Sequence, residues 1–180
     1  SDRFRRAQNG YQMWRKIALG TIIVGSLDIT EVMIFYELYR GVRPVRILQS
    51  IAAALIGRGE AFEGGVATAL LGLGIHFCIA FVVVAIYHFA ARRLRVLVNR
   101  PLVMGALYGL AVYAVMTFVV LPLTATGAGA PRMGPWPVTL NVMLAHVFCV
   151  GIPAALTARY SSSSSPSPST PALLYFLVLL

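Results

Sequence analysis

Residues 17–39 read IALGTIIVGSLDITEVMIFYELY, an apolar run long enough to cross the roughly 30 Å hydrocarbon core of a bilayer as one helix. Asp28 falls near its middle and Glu31 about one turn further on. An ionised carboxylate at that depth costs roughly 3 kcal/mol on insertion scales unless it is paired or protonated. Both residues must therefore face protein or water. Helical spacing agrees: Thr21, Gly25, Asp28, Glu31 and Phe35 form one stripe, while Ile22, Ile23, Ile29, Val32, Met33 and Ile34 cover most of the rest as the lipid-facing surface. The bland reading of Asp28 is a protonated acid bonded to a neighbouring helix. The sharper one is a working ion, proton or metal site.

Composition supports a membrane chain throughout. Of 180 residues 58% are hydrophobic and only 12% charged, and the mean hydropathy is +0.78, values outside the range of a soluble core. Fifteen Lys and Arg stand against six acids, but the basic residues flank apolar runs and lack the basic–aromatic interleaving of a nucleic-acid surface. They read as topology signals and anionic-lipid contacts, and no nucleic-acid partner is expected. Cys78 and Cys149 both lie in apolar runs, so neither a disulfide framework nor a CxxC site is indicated.

Working outward, residues 1–16 form a basic lead-in with Arg3, Arg5, Arg6, Arg15 and Lys16, expected on the cytoplasmic side. No Ala-x-Ala cleavage pattern follows, so the first span is read as uncleaved. After Arg40, Pro44 suits a first helical turn. Ile47, Leu48, Ile51 and Leu55 then share one face, opposite Arg43, Arg46 and Ser50. Residues 44–57 are too short to span and read as an amphipathic helix in the outer interface, or else as a re-entrant segment lining a cavity.

Val66 to Ala91 is the second span, with Gly72, Gly74 and His76 in it and His88 near its interfacial inner end. Arg92, Arg93, Arg95 and Arg100 mark the following loop as cytoplasmic. Pro101 to Thr124 is the third span and carries Gly105-Ala-Leu-Tyr-Gly109, a GxxxG pair that permits close helix approach. A Gly- and Pro-rich outer loop with Trp136 leads to the fourth span, Val138 to Ala158, which contains Asn141, His146 and Pro153 and ends at Arg159. This layout puts ten basic residues inside and five outside, counted from Arg and Lys positions in the sequence. Residues 160–180 form a Ser- and Pro-rich linker and an apolar tip too short to span, expected to lie in an interface or dock on a membrane-protein partner.

At 1.5 Å per residue, Asp28, His76 and His146 all come near mid-membrane, with Glu31 and Asn141 outward of them and Tyr113 and Thr117 at similar depth on the third span. In a packed bundle these groups meet if each polar stripe faces inward. The chemistry stays open. Interhelical hydrogen bonds such as His to Asp would lock the bundle. Alternatively Asp28, Glu31, His76 and His146 could hold a divalent metal, although no HExxH or ExxH spacing supports it. His76 and His146 could also ligate a haem or chlorin, and a proton or ion path through Asp28 and the histidines is the last candidate. No Ser-His-Asp arrangement, P-loop or soluble catalytic domain is present to favour an enzyme.

The runs Gly25-Ser-Leu-Asp28-Ile-Thr30, Leu71-Gly-Leu-Gly-Ile-His76-Phe, Gly105-Ala-Leu-Tyr-Gly109 to Leu121-Pro-Leu123, and Asn141 to His146 resemble small, uncharacterised bacterial inner-membrane proteins that include the YagU-like group. The resemblance covers residues 17–158 and implies a four-helix inner-membrane fold with no assigned activity. The expected protein is thus an all-α integral membrane four-helix bundle with one interfacial amphipathic helix, spanning residues 17–159 with both flanks cytoplasmic. Gly25, Gly72, Gly105 and Gly109 are its expected close-packing positions. A non-enzymatic accessory or structural subunit of a larger membrane complex is the favoured role. A small transporter, an ion-conducting protein and a haem-, metal- or pigment-binding protein are the alternatives.

Overall fold

A computed structural model describes residues 2–126 and 133–163, with side chains described for residues 10–126 and 133–160. The Ser- and Pro-rich linker beyond Ser163 and the apolar tip lie outside the described residues, as do residues 127–132 of the expected outer loop. The described chain is helical without strands: α1 (Asp2–Arg40), α2 (Pro44–Ile56), α3 (Arg58–Glu63), α4 (Gly65–Arg93), α5 (Arg95–Asn99), α6 (Pro101–Val115), α7 (Trp136–Ala145) and α8 (Ile152–Ser163). Four stretches are long and apolar enough to cross a membrane, namely Gly10–Arg40, Gly65–Arg93, Pro101–Leu123 and Trp136–Tyr160. The fold is the expected all-α membrane four-helix bundle. Two boundaries differ from expectation: Trp136 opens the fourth span instead of sitting in the loop, and the helix runs on through Ser163.

Local chemistry sets the element boundaries. Gly41 and Gly57 take positive φ values of 63° and 83°, which turn the chain on either side of α2, and Pro44 opens that helix. The third span continues past α6 as a π-helical turn, Met116–Val120, and a 3-10 turn, Leu121–Leu123. The fourth joins α7 to α8 through a second π turn, His146–Gly151. Each π turn sits just before a proline, Pro122 or Pro153. A proline ring clashes with the carbonyl four residues back, which belongs to Phe118 or Cys149, and widening the helix there relieves the clash.

The half of the bundle nearest Arg92, Arg93 and Arg159 is tightly packed. Ile17 and Val24 of α1, Val84 and Tyr87 of α4, Val150 and Ala154, Ala155 and Ala158 of α8 form one buried cluster. His88 belongs to this region: it is 6% exposed, and its Nε2 lies 3.2 Å from Thr157 Oγ1, whose hydroxyl donates to Ala154 O. The expected interfacial His88 is therefore a buried one. Thr157 offers a small polar partner one helix away, which the reading of α4 by itself could not reveal. Ile29, expected to face lipid, is likewise buried at 7%, because the protein-facing stripe of α1 is broadened by Val24 and Ile29 beside Gly25 and Asp28.

All four expected close-packing glycines lie against neighbours. A Cβ on Gly25 would stand 2.6 Å from the Phe77 ring, and one on Gly72 would collide with the Leu48 carbonyl of α2. Gly105 faces Gly151 O and the Ile152 Cα, both 2.8 Å from such a Cβ, and Gly109 faces the His146 carbonyl and the Val147 Cα. Gly151, which the sequence reading passed over, completes the crossing between the third and fourth spans. Backbones meet here with no side chain between them.

The close contact at Gly72 also sets which side of α2 packs against protein. The buried side of that helix carries Ile47, Gln49, Ala52 and Ala53, while Leu55 is 66% exposed. Small alanines face α4 because Leu48 and Ala52 must bring their backbones against Gly72. Gln49 donates from Nε2 to Gly65 O at 3.0 Å, Arg46 donates to Phe62 O at 3.2 Å, and Ala125 N donates to Ala54 O at 2.9 Å. These bonds tie α2 to α3, to the start of α4 and to the end of the third span.

Candidate functional site

A cavity of about 880 Å³ lies between α1, α2, α4 and the two π-bearing spans. Arg40, Arg46 and Thr124 line its mouth, and Asp28, His76, Thr117 and His146 line its depth. Asp28, His76 and His146 thus line the same cavity, each from a different span. Counting along the helices, Asp28 lies about 18 Å from the Arg40 end of α1, His76 about 16 Å from the start of α4 and His146 about 15 Å from the start of α7. All three are at one depth. The segment read as an interfacial helix or a re-entrant cavity wall contributes Arg46, Ile47, Ser50, Ile51, Ala54 and Leu55 to this lining.

The hydrogen-bond partners define the chemistry. His76 Nε2 is 2.8 Å from Gly25 O, and His146 Nδ1 is 2.8 Å from Val142 O. A backbone carbonyl only accepts, so each of these nitrogens carries the hydrogen and donates. In the neutral ring the other nitrogen, Nδ1 of His76 and Nε2 of His146, is left as an acceptor. The direct His76–Asp28 bond entertained from the sequence is not made, because Gly25 lacks a side chain and exposes its carbonyl to the ring. Asp28 Oδ1 is buried and has no hydrogen-bond partner among the described residues.

Glu31 and Asn141 behave differently from this group. Asn141 Nδ2 donates to Glu31 Oε1 at 2.9 Å, joining the first and fourth spans, while Glu31 Oε2 is buried without a partner among the described residues. Tyr113 is 8% exposed and sets its ring edge-on to His146, centroids 5.9 Å apart, so it positions the imidazole instead of lining the cavity. Gly109 contributes as well: by bringing the third span against the His146 backbone it fixes where that ring begins.

The metal expectation for Asp28, Glu31, His76 and His146 is corrected by this geometry. Among the described residues no three His, Cys, Asp or Glu side chains converge to hold a metal ion, since Glu31 is turned to Asn141 and His76 to the Gly25 carbonyl. No family model, curated protein or solved structure matches this chain. Its chemistry is therefore read from the cavity alone: Asp28, His76 and His146 at mid-depth, with the donors of both rings already given to the Gly25 and Val142 carbonyls.

Sequence reasoning missed Arg46 and Ser50 as cavity residues and missed the π turns. The signal for the latter was present in Pro122 and Pro153, each within a few residues of a polar mid-span side chain, Thr117 and Cys149 to His146 respectively.

Proposed function

We propose that this protein is a non-enzymatic accessory subunit of a bacterial inner-membrane complex whose own contribution is to hold a small hydrogen-bond-donating ligand inside the bundle. The observation that carries the reading is Asp28: it lines the cavity beside His76 and His146, and its Oδ1 is buried without a partner among the described residues. Burying an acceptor unpaired costs about 1–3 kcal/mol, and a donor-bearing ligand removes that cost. A binding role is favoured over a conducting one because the cavity opens at the Arg40 and Arg46 end, whereas the opposite half is filled by the Ile17, Val84, Tyr87 and Ala154 cluster. An accessory role is favoured over catalysis by the absence of a soluble domain among the described residues.

Native mass measurement after gentle extraction tests the binding reading. The expected wild-type species carries a small organic molecule beyond the 19.5 kDa chain, and Asp28→Asn loses it while melting within about 2 °C of the ligand-stripped wild type, since no protein hydrogen bond of Oδ1 is lost. A ligand-free wild type overturns the binding role. A Soret band or a stoichiometric transition metal in the same sample would overturn it in favour of histidine ligation. A lone monomer with full transport activity in liposomes would overturn the accessory role.

The proposed topology places both flanks of the bundle in the cytoplasm, supported by the basic clusters around residues 3–16 and 92–100. Single cysteines at Gly10 and Thr124, in a chain with Cys78 and Cys149 replaced by Ala, are expected to label from opposite faces of sealed vesicles. Labelling of both from one face would refute the orientation.

A further inference from the structure

A second cavity of about 910 Å³ runs between α4 and the third span, from Ile86 and Tyr108 at one end to Leu70 and Val120 at the other. No charged side chain lines it. Tyr108 ties its inner end, donating to Val83 O at 2.7 Å with its ring 5.0 Å from that of Tyr87. Its outer lip is open: Leu70, Val82 and Ile86 are 62%, 52% and 54% exposed on a helix apolar enough to cross a membrane.

The two cavities are adjacent. Ile75, Ile79 and Val83 of α4 and Val112, Met116 and Val120 of the third span line both. Behind these apolar residues stand His76, Asp28 and His146, so polarity rises from the bilayer face of the cleft to the interior of the bundle. Met116 and Val120 also begin and end the π turn before Pro122, where the third span bends beside the cleft. Each cavity alone has the volume of a typical small-molecule site.

We infer that the ligand is a single-chain amphiphile entering sideways from the bilayer, its chain in the α4–α6 cleft and its hydroxyl-bearing head donating to Asp28 and the free nitrogens of His76 and His146. This rests on the binding role proposed above and adds the ligand's class and route. The complementarity is specific in sign. His76 and His146 both spend one ring N–H on a backbone carbonyl, so the remaining nitrogen of each neutral ring offers the head an acceptor and favours one that supplies hydrogen. The chain must be apolar and unbranched enough to lie along a cleft with no polar lining apart from the Tyr108 hydroxyl, which is already given to Val83, and the Cys78 thiol.

Gly74 provides the test. It lines the cleft, and nothing stands within 4 Å of the position its Cβ would take, so a large side chain there occupies the cleft without displacing packed neighbours. The experiment follows thermal unfolding of the full chain in nanodiscs with tetradecan-1-ol, its methyl ether or tetradecane added. The alcohol is expected to raise the wild-type Tm by about 5 °C and the other two by far less. Gly74→Phe should keep the wild-type Tm without probe and lose the rise with it. Cys78→Trp, at an exposed cleft position, serves as the second blocking variant should Gly74→Phe fail to fold.

If the alcohol still stabilises both blocking variants, the cleft is not the route and this inference falls while the binding role stands. If alcohol and ether stabilise the wild type equally, no donor is required, and the binding role falls with it. A transmembrane segment of a partner protein lying in the cleft would show as a heteromeric native mass lost in Gly74→Phe with no response to the alcohol, and that too would overturn the amphiphile.

Discussion

Gly109→Leu is expected to cost at least about 3 kcal/mol of stability and to abolish ligand retention at the same time. The magnitude follows from what the side chain would meet. Overpacking a core usually costs about 1–3 kcal/mol because flexible side chains give way, but the atoms facing Gly109 are the His146 carbonyl and the Val147 Cα, which are backbone. They can yield only if the third and fourth spans separate. Separation would also undo the Gly105–Gly151 contact one turn away and shift the π turn from which His146 projects. Denaturation in mixed micelles should show the loss, and native mass measurement should show the empty cavity. Gly74→Leu is the matched control, placed on a helix face with open space at its Cβ, and should be neutral or slightly stabilising because a mid-helix glycine is replaced. Equal costs at the two positions would mean that helix propensity, not the crossing, governs stability.

That contrast marks what the sequence made legible. The GxxxG spacing announced a close approach on the third span, and the structure puts backbone against Gly105 and Gly109 as expected. Gly74 looks no different from Gly72 in the string LGLG, yet one meets the Leu48 carbonyl and the other meets nothing. Which face of α4 receives α2 is a tertiary fact, fixed by the turns at Gly57 and Gly65 that fold α2 and α3 back onto it. The same limit applied to α2 itself. Its apolar face was read from Ile47, Leu48, Ile51 and Leu55 as that of an interfacial helix, and the string could not show that proximity to Gly72 buries Ala52 and Ala53 and leaves Leu55 outside.

Depth was more legible than direction. Rise per residue places Asp28, His76 and His146 at one level, and they do share a cavity. The partner of each ring was not legible, because backbone carbonyls leave no mark in a sequence. Gly25 was singled out for packing, yet its carbonyl also takes the His76 donor. The choice of a carbonyl over Asp28 is what leaves the acid open to a ligand.

The acidic stripe of α1 therefore divides into two roles, and Asn141→Leu separates them. Asn141 supplies the hydrogen bond to Glu31 Oε1, and Glu31 Oε2 has no partner among the described residues, so the substitution strands a buried carboxyl group entirely. Breaking a polar pair by removing one partner costs more than removing both. We expect Asn141→Leu to destabilise the bundle by about 2–3 kcal/mol and Glu31→Leu by less. The double substitution should recover about 1–2 kcal/mol relative to the sum of the two. Mixed-micelle denaturation of the four proteins measures the cycle, and strict additivity would show that the 2.9 Å contact contributes nothing. Ligand retention should respond in the opposite sense. Glu31 does not line the cavity, so Glu31→Leu/Asn141→Leu keeps the bound molecule, whereas Asp28→Asn, with no Oδ1 hydrogen bond to lose, keeps the stability of the ligand-free bundle and releases it. One acid bonds the first span to the fourth, and the other, one turn deeper, lines the cavity.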